Sequence, residues 1–208
     1  MTVVGRVVLA CLCVCPAAGF AERYNDSAIP GWQEIVFDGH TDYRREADCV
    51  RATASDSASG LIREARVSVD DTTQLGWSWR ADALPDYAGK VAEKDKDGDD
   101  FVARVYVIHE GFFPWQTRAI NYVWSQQHAV GSHWPNPFTG NAVMVVVQSG
   151  DEGLGQWHTF ERSVRADFAR YHDIAIERID AIAVMTDADN TDGNASACYR
   201  LPSLSTSR

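Results

Sequence analysis

Hydrophobic positions along this chain recur at every second residue over short stretches and almost nowhere at helical spacing. The clearest stretch is Gly98–Ser125. Phe101, Ala103, Val105 and Val107 alternate there with Val102, Arg104, Tyr106 and Ile108; Gly111 and Pro114 interrupt, and Arg118–Trp124 resumes the pattern. This predicts two strands joined by a Gly/Pro/aromatic loop, with Phe101 to Val107 facing a core and Arg104 and Tyr106 on the other face. Similar short runs predict strands at Trp32–Phe37, Asp48–Thr53, Leu61–Val69, Gln74–Arg80, Trp157–Val164, Ile179–Thr186 and Ala197–Leu201. Ala142–Ser149 is nearly unbroken apolar sequence, as for a strand covered on both faces. Only Ala166–His172 suggests one or two helical turns. About ten short strands separated by turn residues imply an all-β antiparallel sandwich or jelly roll, one domain over residues 22–208.

The first 21 residues break this pattern. Arg6, the apolar run Val7–Cys15 and the small-x-small site Gly19–Ala21 predict a secretory leader. The chain is then expected to be periplasmic or secreted, with no transmembrane segment after the leader is removed. Val8–Cys11 faintly matches a lipoprotein box, which makes anchoring through Cys11 a minor alternative. Of five cysteines, Cys49 and Cys198 remain after the leader. An even pair in an exported chain predicts one disulfide stapling the early and late strands. Closing so long a loop is worth about 4–5 kcal/mol in the chain-entropy model. Two buried free thiols are the alternative. The formal net charge of −10 argues against nucleic acid or an anionic membrane as the main partner, since both need a basic footprint.

Seven Trp, seven Tyr and eight Phe change the picture from fold to chemistry. Trp77 and Trp79 share one face of a predicted strand; Arg104 and Tyr106 share a face of another; Tyr122 and Trp124 share a face of a third. Rings that pack on the C–H faces of a pyranose, with nearby donors to fix its hydroxyls, are the chemistry of sugar-binding clefts. These six residues are therefore the candidate ligand site. The alternative is that the rings are core and that Arg104 pairs with a buried carboxylate such as Asp100.

Metal and catalytic signatures are weaker. Asp187, Asp189 and Asp192 lie in an oxygen-rich loop that suits a structural Ca²⁺, although its glycine falls out of step with an EF-hand; an Asx-capped turn is the alternative. A second acidic run, Glu93–Asp100, reads as a solvated turn. His109, His128 and His133 have no zinc-site spacing. No G-x-S-x-G, Walker loop or G-x-G-x-x-G occurs. Tyr106, Tyr122, Arg104, Asn121 and the loop histidines are nevertheless the residue types a polysaccharide β-elimination uses, if they converge.

Five stretches together resemble a bacterial family known as domain of unknown function 3047: Ser57–Leu61, Leu75–Arg80, Gly98–Val107, Ala119–Ser125 and Met185–Thr191, supported by Trp157 and Arg165–Asp167. The resemblance implies an exported single-domain protein and carries no catalytic residues. More loosely, the order of the last strands resembles carbohydrate-binding and galactose-binding-like jelly rolls. The expectation is a non-catalytic envelope domain with a glycan-type ligand. Two alternatives are an envelope assembly protein and a polysaccharide lyase or hydrolase.

Overall fold

The computed structural model describes residues 24–87, 91–191 and 193–206. In chain order the strands are β1 (Tyr24–Asp26), β2 (Gln33–Asp38), β3 (Asp42–Arg45), β4 (Val50–Ser55), β5 (Ala58–Ser68), β6 (Thr73–Ala83), β7 (Arg104–His109), β8 (Arg118–Ser125), β9 (His133–Pro135), β10 (Ala142–Ser149) and β11 (His158–Ser163). Helix α1 (Val164–His172) follows, and β12 (Arg178–Asp187) and β13 (Asn194–Thr206) close the chain. The strands form an eight-stranded sheet, β1-β2-β5-β12-β7-β8-β10-β9, and a five-stranded sheet, β11-β6-β13-β4-β3. The expected leader, residues 1–21, lies outside the described residues. Among the described residues no helix is long and apolar enough to cross a membrane.

Every predicted strand is present, and three short ones, β1, β3 and β9, are added. One pair departs from the antiparallel expectation: β10 runs parallel to β8. The long connection 126–141 returns the chain to the start of β8 before β10 begins, which is what a parallel neighbour requires. Most faces obey the period of two. In β6, Leu75, Trp77, Trp79 and Ala81 are buried, while Gln74, Gly76 and Arg80 are less so. In β7 and β12 both faces are buried, so the alternation seen in sequence sorts residues between two buried layers rather than between core and water.

The first layer lies between the sheets. Val105, Val107, Ile120, Tyr122, Trp124, Ile182 and Val184 of the large sheet meet Leu75, Trp77, Trp79 and Tyr199 of the small one. Tyrosine hydroxyls tie the layers together: Tyr199 donates to the Met185 carbonyl at 2.7 Å, and Tyr43 donates to the Ser59 carbonyl at 2.6 Å. The second layer, on the far face of the large sheet, holds Ile35, Ile62, Tyr106, Ile108, Ala119, Ala183 and Met185. Segments 91–103 and 126–141 are joined beside it. Asn136 reaches both Asp99 and Met144, and Phe101 packs on Trp134. Cys49 and Cys198 form a disulfide with a Cα separation of 5.8 Å, linking the approach to β4 with its neighbour β13.

Candidate functional site

The six expected ligand residues do not form one exposed face. All are at most 4% exposed, and they divide between the two layers. Trp77, Trp79, Tyr122 and Trp124 lie between the sheets. Trp77 stacks on Tyr122 at 5.1 Å and meets Trp79 edge-on at 5.7 Å; Phe160 closes against both tryptophans. Their ring faces are covered by each other, so no sugar can pack on them. The physical reason is the large apolar area of each ring, which sends strand aromatics inward unless something holds them out. Pairwise ring contacts add about 0.5–1.5 kcal/mol each beyond area burial.

Arg104 and Tyr106 lie on the opposite face of the large sheet, and they too are sealed. The Arg104 guanidinium donates to both carboxylate oxygens of Asp187, to the Asp99 side chain at 3.1 Å and to the Asp99 carbonyl. It also lies over the Phe101 ring. Burial opposes its charge, but Asp187 and Asp99 outweigh burial and keep it protonated. Arg104 therefore has buried carboxylate partners, as the alternative reading held, but they are Asp99 and Asp187 rather than Asp100. Tyr106 directs its hydroxyl to the Met185 sulfur at 3.4 Å. Tyr122 and Tyr106 are on opposite sides of the sheet, so the dispersed lyase set does not converge.

The expected calcium set is also redistributed. Asp187 is the counter-ion of Arg104, and its Oδ1 additionally accepts from the Phe101 amide at 3.1 Å. Asp192 lies outside the described residues. Asp100 joins Asp187 and Asp189, with one oxygen of each within 4.8 Å of the others. The Asp100 carboxylate is held by the Asn190 and Thr191 amides and the Thr191 hydroxyl. Ca²⁺ takes six to eight oxygens, about, at short range; here a guanidinium and amide donors occupy much of that coordination. Burial, then the Asp100 charge, pushes Asp189 up to about 6. An arginine and amide donors thus face the carboxylates of this cluster. Among the described residues, the groups close enough to share a metal contain no histidine.

Large exposed rings lie elsewhere, at the turn between β7 and β8. Phe112 is 89% exposed, Trp115 65% and Phe113 44%. These rings are ordered against each other: Phe113 stacks on Trp115 at 4.6 Å with planes 5° apart, and Phe112 meets Phe113 edge-on at 4.8 Å. The backbone explains their order. A 3₁₀ turn spans Pro114–Gln116. The Gln116 side chain accepts from the Phe113 amide at 3.0 Å, and Arg118 donates to the Trp115 and Thr117 carbonyls and to Asn141 at 2.8–2.9 Å. Gly111 sits where a Cβ would collide with Gln116, so only glycine lets the turn close. The sequence carried the signal for this tip: large aromatics in a Gly/Pro loop have no strand periodicity to bury them.

Compared by sequence with curated proteins, the chain has no match. Solved structures share its fold. The xyloglucanase domain of NopAA, a type three effector from Sinorhizobium fredii, solved with cellobiose, superposes with a TM-score of 0.51 at 8% identity, covering 88% of this chain and 98% of that one. The endo-1,4-beta-glucanase CelB2 superposes with a TM-score of 0.51 at 10% identity, covering 89% and 97%. At such identities the likeness is one of fold. A family model covers most of the chain, residues 30–201, and the chain belongs to that family, described as a protein of unknown function, DUF3047.

Proposed function

We propose that this is an exported, non-catalytic domain that binds glycans of the cell envelope through the aromatic tip Phe112, Phe113 and Trp115. The observation that carries this reading is a hydrogen-bonded turn that leaves three large rings exposed and packed on one another. Exposing so much apolar surface on an ordered loop works against solubility, and such surfaces mark interaction sites. Flat rings with open faces suit the C–H face of a pyranose. The leader expected at residues 1–21 and the Cys49–Cys198 disulfide support a periplasmic or secreted location. The net charge of −10 favours an uncharged glycan over an anionic polymer.

The fold is one on which glycan chemistry is carried by other proteins, here a xyloglucanase domain and an endoglucanase. Their activity does not transfer with the shape. Glycoside hydrolysis needs two carboxyl groups flanking one bond, about 5–9.5 Å apart. The buried carboxylates Asp99 and Asp187 are instead paired with Arg104. The test is a glycan array probed with wild type and with the Phe112→Ala/Trp115→Ala double variant. Wild type is expected to retain a subset of neutral glycans, and the variant to lose most of that retention. No retained glycan, or retention unchanged in the variant, would refute the reading.

A further inference from the structure

The solvent-facing side of the small sheet carries a second feature that the tip does not explain. Gly76 sits in the middle of β6, where glycine is a poor strand former. Its φ is not positive, so no turn demands it. Nor does packing demand it: a Cβ there would come no closer than 3.9 Å to any neighbour, in ordinary contact with Glu161 Cγ and the Phe160 carbonyl. The fold would accept a side chain at this position, and a β-branched one would favour the strand. A glycine in a strand without a conformational or packing reason of its own is often found at a bulge or where a ligand or another backbone approaches closely.

The surroundings fit that role. Gly76 pairs with Glu161 of β11 on one side and Ser203 of β13 on the other, making one row across three strands. The next row is Thr159, Ser78 and Arg200. Between the rows β13 bulges: Leu201 and Pro202 lie opposite the single residue Trp77. Bulges of this kind re-aim side chains and recur beside binding sites. The bulge and the missing side chain leave a shallow groove of about 410 Å³, within the roughly 300–1,000 Å³ that hold small ligands. Ser78 and Thr159 share a hydrogen bond of 2.8 Å at one end. Arg200 lies over the Trp157 ring at 4.2 Å, which holds its guanidinium against the sheet. Arg200 also donates to Asp48 at 3.0 Å, so Glu161 is the carboxylate left to accept from a ligand, and an anion would be repelled.

The structure assigns this groove, we infer, to a neutral saccharide of one or two rings. Its C–H face would lie on the bare backbone at Gly76 and on Leu201. Its hydroxyls would donate to Glu161, accept from Arg200, and exchange hydrogen bonds with Ser78, Thr159 and Ser203. The choice of a saccharide rests on the glycan-binding reading above; the site itself rests on Gly76 and the bulge.

The experiment is an amide-resolved NMR titration of the protein with cellobiose, xylobiose and N,N′-diacetylchitobiose, repeated on Gly76→Thr and Glu161→Gln. The expected result is shifts centred on the amides of Gly76, Thr159, Glu161 and Ser203 with at least one disaccharide. Gly76→Thr should weaken that binding by about tenfold or more while its Tm equals or exceeds that of wild type. Should Gly76→Thr fold poorly, Glu161→Gln, at an exposed position, must still weaken binding. Shifts confined to Phe112–Trp115 would overturn the groove and leave the glycan reading standing. An absence of shifts anywhere would overturn both. Unchanged affinity in a folded Gly76→Thr would overturn the groove alone.

Discussion

The rings between the sheets and the rings at the β7–β8 tip are alike in chemistry and opposite in placement. Trp77, Trp79, Tyr122 and Trp124 sit on strands, at positions whose period of two points them inward, and they cover one another. Phe112, Phe113 and Trp115 sit in a turn that has no inward face, and Gly111, Gln116 and Arg118 fix them in water. Ring chemistry alone therefore does not identify a binding surface; the backbone that carries the ring does. A strand spaces aromatics so that a second layer can bury them. A closed turn cannot, and an ordered apolar turn stays exposed unless a partner covers it.

The difference is largest in stability. Trp79→Ala leaves a cavity between the sheets and is expected to cost about 3–5 kcal/mol. Arg104→Ala strips the partner from Asp99 and Asp187 and should cost a similar amount, about 3–5 kcal/mol. Trp115→Ala, at the exposed tip, should change stability by less than about 0.5 kcal/mol. Urea denaturation of the three variants measures the contrast. A tip variant as damaging as Trp79→Ala would mean that the tip is structural.

Reduction of the Cys49–Cys198 bond comes next. It removes a cross-link spanning 149 residues and is expected to lower stability by about 2–5 kcal/mol. Unfolding with and without reductant measures it. A reduced protein as stable as the oxidised one would show that the layers hold the termini without the staple.

These contrasts also show what could be read from residues alone. The strands and the sandwich were legible because the period of two is written into β6, β7, β8 and β12, and the disulfide because two cysteines remain beyond the expected leader. The site was not. Period two assigns Arg104 and Tyr106 to the face away from Val105 and Val107, but it does not say that this face is covered as well. Arg104 finds Asp187 across 83 residues, a pairing that only the sheet order β12-β7 creates. The parallel β8–β10 pair was hidden for the same reason. Gly76 stood inside a predicted strand, and its meaning depends on an empty space that sequence does not report.

Smaller effects follow from the buried acids. Asp189, pushed up to about 6 by burial and then by Asp100, binds a proton in the folded state that the unfolded chain releases near the ordinary value of about 4. The folded state therefore holds more protons between about pH 4 and 6, and Asp189's contribution to stability falls as pH rises through that window. Asp189→Asn should flatten this part of the pH profile and be relatively more stable at pH 7, as read from Tm at pH 4.5, 6 and 7. A profile unchanged by the substitution would contradict the upward shift at Asp189. Because Arg104 and amide donors already occupy the cluster, neither Ca²⁺ nor a chelator is expected to move Tm. A rise with Ca²⁺ would restore the metal reading, since a ligand that binds only the folded state stabilises it by mass action.

The central claim is that the tip rings bind and the buried rings fold. It is tested most directly by calorimetric titration of a glycan retained on the array into wild type and into Phe112→Ala/Trp115→Ala, with Tm recorded on the same samples. The account predicts that the tip's share of the binding heat disappears in the double variant, leaving only what the Gly76 groove takes, while Tm stays within about 2 °C of wild type. Full binding by a double variant of unchanged Tm would contradict it.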